Sequence, residues 1–185
     1  VWGWRKSFSP MRGGGLVQWR RRSMSFQAGD PVVHGVYGLG KVLELDEKEL
    51  LGKVKQYYVV EIRDLTLWVP ISQGEPGSLR PPAQESEFVR LFDLLRQPGN
   101  PLSEDRLERK MQLSERMRVG SLESVGCVVR DLTHHGRSKK LNENDQLVLQ
   151  RARNFLLNEW TFVFAVPLQQ AEKELDALLK TNASQ

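Results

Sequence analysis

The sequence predicts an α+β protein: a small N-terminal antiparallel β-barrel of Tudor or SH3 type, followed by a compact all-α domain. Three observations carry that expectation. Residues 26–70 hold four short runs of β-branched or period-two character with no helical stretch between them, which argues against an α/β unit. Turn-forming residues then cluster in PGSLRPP (76–82). Beyond that cluster, apolar residues recur at helical spacing in five segments punctuated by capping residues, Gly and Pro.

PVVH (31–34) is the first expected strand and GKVLELD (40–46) the second, with Leu43 and Leu45 on one face. QYYVVEIR (56–63) is the third, rich in aromatic and β-branched residues, and TLWVP (66–70) follows after a tight connection at Asp64 and Leu65. Between the first two strands lies GLGK (38–41), which invites comparison with a phosphate-binding loop. Such a loop must open a helix, so that backbone N–H groups and the helix dipole face the phosphate. Here a strand pattern follows, and no Ser or Thr comes after Lys41. Gly35, Gly38 and Gly40 instead suit a hairpin that needs positive φ or close backbone approach.

In the second half, residues 83–96 place Phe88, Leu91, Phe92 and Leu95 at helical spacing before the break QPGNP (97–101). Ser103 is the expected cap of the next helix, with Glu104 and Asp105 in its first turn and Gly120 as its stop. SLESVGCVVRDL (121–132) forms another helix, with Leu122, Val125, Val129 and Leu132 on one face, and HHGRSKKLNEND (134–145) reads as a polar loop. Asn142 caps a long helix that runs to Pro167, and residues 168–180 form the last one around Ala171, Leu175, Leu178 and Leu179. The polar C-terminal residues are expected to fray.

Charge is unevenly spread. Of the net +4, residues 1–25 carry +6 through Arg5, Lys6, Arg12, Arg20, Arg21 and Arg22, leaving residues 26–82 at −2 and residues 83–185 neutral. The basic balance therefore says little about nucleic acid outside this leader. Residues 1–23 lack helical or strand period and any apolar core of signal-peptide length, so they are expected to be an unstructured, dispensable leader with the natural start at Met24. The barrel is placed at 24–82 and the helical domain at 83–185.

Catalysis finds little footing. HExxH, CxxC and GxSxG are absent, and His134 and His135 are adjacent rather than at helix-face spacing. Glu108–Arg109 and Arg130–Asp131 read as solvated helix charges. Cys127 is the single cysteine, which excludes an intramolecular disulfide, and its apolar neighbours suggest a buried, inert thiol. No run approaches the roughly 20 apolar residues needed to cross a bilayer. The expectation is a non-enzymatic protein without metal or cofactor.

The order F-x-x-G-D-x-V-V-H-x-x-Y-G-x-G-K-V (26–42), Y-Y-V-V (57–60), D-L-T-L-W-V-P (64–70) and G-x-x-R (77–80) resembles the CarD/CdnL family of bacterial transcription regulators. V-V-R-D-L (128–132) and R-A-R-x-F-L (151–156) resemble that family's helical domain, so the likeness covers about residues 26–180. It implies a cytoplasmic bacterial regulator, here expected to be a monomer. Its β-module, similar to the RNA-polymerase-interacting domain of the transcription-repair coupling factor, would dock on the β subunit of RNA polymerase through Thr66, Leu67, Trp68, Val69 and Pro70. Its helical domain would meet promoter DNA and stabilise the open complex, through Arg106, Arg109 and Lys110 or through Arg137, Lys139 and Lys140.

Two positions depart from the family. Its well-known members carry an arginine in the strand where this chain has Trp68, and a tryptophan near the position of Arg106, whereas residues 100–120 here contain no aromatic. A stand-alone Tudor-like or SH3-like interaction module and a small RNA-binding protein are the alternative readings.

Overall fold

The structure, a computed structural model, describes residues 26–50, 53–71 and 79–181. The expected leader and the C-terminal residues expected to fray lie outside them. Five strands, β1 (Pro31–His34), β2 (Gly38–Leu50), β3 (Lys53–Ile62), β4 (Leu65–Pro70) and β5 (Leu79–Arg80), precede five helices. The helices are α1 (Glu85–Arg96), α2 (Arg106–Val119), α3 (Leu122–Ser138), α4 (Glu143–Phe164) and α5 (Leu168–Thr181).

The strands form one antiparallel sheet in the order β4-β3-β2-β1-β5. Among the described residues β4 and β5 remain unpaired edges, so the expected barrel is left open rather than closed. Its core gathers Val32, Val42, Tyr58, Val60, Ile62 and Val69 on one face, where Phe26 meets Tyr58 edge-on at 5.5 Å. GLGK lies within β2, as its period-two continuation demands. Gly38 has φ +91°, and a Cβ at Gly40 would run into the Ile62 side chain and the Glu61 carbonyl. The β2–β3 register slips at a bulge between Val42 and Glu44, and Leu43 within it and Leu45 beyond it are both exposed.

Helices α2, α3 and α4 begin where short polar side chains take up free N–H groups. Asp105, rather than Ser103, caps α2, its Oδ1 accepting from Glu108 N at 2.8 Å; Glu104 and Asp105 thus precede the first turn. Gly120, at φ +63°, ends that helix. Ser121 and Asn142 cap α3 and α4 through 3.1 Å and 2.9 Å bonds. The expected loop from 134 is helical as far as Ser138. His135 and Arg137 suit the negative end of the α3 dipole, and the Arg137 guanidinium donates to the Leu179 carbonyl of α5.

The helices share a second core, centred on Phe88, Leu95, Leu113, Val128, Leu156 and Trp160. This core does not stop at the sheet. Val33 of β1 belongs to it, and Leu39 of β2 packs against it. The β1–β2 turn is thereby seated on the helical bundle: Gly35 lies against the backbone of Gly120, and Arg151 Nη2 of α4 donates to Val36 O at 3.1 Å.

Of the two charged pairs expected to be solvated, Glu108 is exposed, but Arg109, Arg130 and Asp131 are buried. Asp131 is fully buried and accepts from Arg116 Nη1 at 2.8 Å and Arg130 Nε at 2.9 Å, with Asn100 N at 2.9 Å. Arg109 pairs with buried Asp145 of α4. An arginine has enough reach and enough donors to neutralise a carboxylate inside a helix bundle, and neither property shows in spacing along one helix.

Candidate interaction surfaces

The first surface is the sheet edge at β4. Among the described residues this strand pairs with β3 alone, from Tyr57↔Pro70 to Ile62↔Leu65, and its other side has no strand partner there. Alternation sends Leu67 and Val69 toward the core, where Val69 is buried and Leu67 partly so. Thr66, Trp68 and Pro70 stand on the outer face and are exposed. Of the five residues expected to meet polymerase, Val69 has only its backbone to give, and Pro70 has no N–H.

Trp68 is 46% exposed, yet it is held in place. Its Nε1 donates to Asp46 Oδ2 at 3.0 Å, and Lys48 Nζ lies 3.9 Å from the ring centroid. Asp46 and Lys48 both lie on β2, so the indole reaches across the β3 register to the strand beyond. An exposed aromatic with a fixed orientation loses little entropy when a partner covers it.

The second surface is the outer side of α2. Arg106 and Lys110 are exposed and form no ion pair among the described residues. Arg109 is a correction. Its side chain points inward, is 5% exposed, and spends its donors on Asp145 at 3.0–3.1 Å and the Ser103 carbonyl. It is withdrawn as a DNA contact. The helix instead displays Leu107 and Met111, which are 67% and 66% exposed and one turn apart. Sequence reasoning missed this pair. The signal was present: once Leu113 is assigned to the core, Leu107 and Met111 cannot share its face.

At the far end of α3, Lys139 is engaged by Glu104, whose carboxyl this ammonium holds below the ordinary range. Arg137 contacts Leu179 O, while Lys140 is exposed and unpaired among the described residues. The Lys139–Glu104 pair ties the α3–α4 corner to the loop before α2.

Other reactive groups are quiet. Cys127 is half-buried rather than fully buried, and burial raises its thiol pKa, so it stays protonated near neutrality. His34 is partly buried, with Nδ1 accepting from Val36 N at 3.1 Å, and burial lowers its pKa. No group of three His, Cys, Asp or Glu among the described residues is placed to hold a metal ion, and no described helix is long and apolar enough to cross a membrane.

Among the described residues, then, an open antiparallel sheet is followed by and packed on five helices. Residues 26–81 match the CarD-like/TRCF RID domain and residues 90–176 match the CarD C-terminal domain, in the order in which sheet and bundle occur. The chain belongs to the CarD-like family of transcription factors, with a polymerase-interacting domain at its N-terminal side. It is 28% identical over 151 residues to a Bacillus subtilis (strain 168) protein named "Putative transcription factor YdeB", covering 78% of this chain and 96% of that one.

Proposed function

We propose that this protein docks on the β subunit of RNA polymerase through β4 and stabilises the promoter open complex through α2. The observation that carries the reading is the free β4 edge with its pinned, half-exposed Trp68, inside the segment that matches the polymerase-interacting domain. A partner strand adds to the edge by main-chain hydrogen bonds, and Trp68 supplies the side-chain anchor.

On DNA, Arg106 and Lys110 contact phosphates, which positions the helix without reading sequence. Leu107 and Met111 supply an apolar wedge. Aliphatic side chains between base steps unstack and kink a duplex at the minor groove, and this pair stands where the family's tryptophan is missing. Lys140 is the remaining unpaired cation of the expected second cluster; Arg137 and Lys139 are each engaged within the fold. Residues 24–82 form the polymerase-docking part and residues 83–185 the DNA-contacting part, and the protein acts in the bacterial cytoplasm.

The test is capture of purified core polymerase, followed by open-complex lifetime under competitor challenge. Wild type is expected to bind and to lengthen the lifetime. A protein that retains no polymerase would instead be a stand-alone interaction module.

A further inference from the structure

Sheet and bundle share apolar packing at Val33 and Leu39, and beside it stand contacts that depend on direction and close approach. Glu159 of α4 is fully buried, and its carboxylate receives Arg80 of β5 in a two-pronged bond, Nη1 to Oε1 at 2.6 Å and Nη2 to Oε2 at 2.8 Å. Ala83 N, just before α1, donates to the same Oε1 at 2.8 Å. If the sheet swung away, a carboxylate would be left uncompensated in the bundle core, a costly state. Beside this pair, where Arg80 Nε and Nη2 also donate to the Gly120 carbonyl at 3.4 Å, Gly35 and Gly120 touch backbone to backbone, and a Cβ on Gly120 would overlap Gly35. A Cβ on Gly38 would already touch the Phe155 ring at 3.5 Å. Apolar side chains of equal volume would often seal such a seam at least as strongly as an ion pair does. What the two-pronged pair adds is direction, because it forms only when the guanidinium and carboxylate planes align.

We infer that Arg80 and Glu159, with the Gly35–Gly120 contact, form a positioning device that holds β4 and α2 at one fixed separation, so that polymerase docking presents α2 to DNA as part of a rigid unit. The functional half of this inference rests on the reading proposed above; the geometric half does not. A loose joint would spread the α2 cations and wedge over a larger volume and lower their effective concentration at the DNA.

Spin labels at Glu61→Cys on β3 and Ser114→Cys on α2, both exposed, in a Cys127→Ala background report the separation by pulsed dipolar spectroscopy. Wild-type seam residues are expected to give one narrow distance, Arg80→Ala a broad one, and Arg80→Lys an intermediate width. In unlabelled full-length protein, Arg80→Ala should leave polymerase affinity unchanged, because β4 is untouched, while shortening open-complex lifetime by about 3- to 10-fold. A narrow distance in Arg80→Ala overturns the device. A broadened distance with an unchanged lifetime overturns its role in coupling. If wild type bound no polymerase, the functional reading would fall by itself, and the distance measurement would still decide the seam. Should Arg80→Ala fail to fold, Arg80→Lys combined with Arg151→Ala loosens the seam more gently, and a narrow distance there overturns the inference equally.

Discussion

Trp68 shows how one side chain can be both exposed and ordered. The Asp46 hydrogen bond and the Lys48 ammonium fix the indole in place while leaving it 46% exposed. Trp68→Ala should weaken polymerase binding by about 1–3 kcal/mol, read by biolayer interferometry, with the thermal midpoint nearly unchanged because little core is lost. His34 makes a different case. Its Nδ1 accepts the Val36 N–H only while unprotonated, and burial holds the imidazole below its ordinary value of 6.5. The unfolded chain therefore binds this proton more readily than the folded one. The His34 contribution is fully present above pH 6.5 and is lost as pH falls through the lower folded value. Thermal midpoints between pH 7.5 and 5.5 should fall for wild type and fall less for His34→Asn, which keeps an acceptor but does not titrate. The exposure of Trp68 was legible from strand alternation. Its clasp was not, because Asp46 and Lys48 lie two strands away and only register brings them near.

At the scale of elements, the sequence marked strands and helices well wherever a turn residue or cap stood at the boundary, as at Gly120, Ser121 and Asn142. It failed where tertiary contact decided the boundary. The extra turns of α3 through His134 and His135 are supported by Gly99, which packs against His134, and by the Arg137–Leu179 bond, both long-range. The α2 helix shows the same limit for charge. Arg106, Arg109 and Lys110 look alike in sequence, yet one lies in the core with Asp145 and the other two face outward. Their alanine variants should separate cleanly. Arg109→Ala leaves Asp145 buried and unpaired and should cost about 3–5 kcal/mol in chemical denaturation. Arg106→Ala with Lys110→Ala should leave that stability within about 0.5 kcal/mol while shortening the open-complex lifetime. Leu107→Ser with Met111→Ser tests the wedge: polymerase binding and fold are expected to persist, and the lifetime to drop. An unchanged lifetime in both double variants would move the DNA contact to the Lys140 corner.

For the whole molecule, the family's recurring motifs mostly build the seam and the core rather than the surfaces. V-V-R-D-L supplies the Arg130–Asp131 pair, and R-A-R-x-F-L supplies Arg151 against Val36 and Phe155 beneath Gly38. This is why the two-part order was readable in sequence while the contact residues were less so: periodicity marks the residues that pack, whereas no spacing marks which exposed residues meet a partner. Charge adds the last constraint. Residues 26–82 carry −2 and residues 83–185 are neutral overall, so they exert little long-range pull on DNA, and under the proposed function polymerase would bring α2 to its target. Each phosphate contact lowers the logarithm of affinity by about 0.9 per decade of salt, so Arg106, Lys110 and Lys140 support a slope of only about −2 to −3. The six bases and no acids of residues 1–25 would add a second, sequence-blind attachment. A chain shortened to begin at Met24 should therefore keep its thermal midpoint and polymerase affinity but bind free duplex more weakly and with the shallower slope. Fluorescence anisotropy with a labelled promoter duplex between 50 and 200 mM salt reads both quantities. If the shortened chain lost polymerase affinity, the leader would be part of the docking surface; if its slope stayed as steep as the full chain's, cations of the folded parts beyond these three would have to reach phosphate.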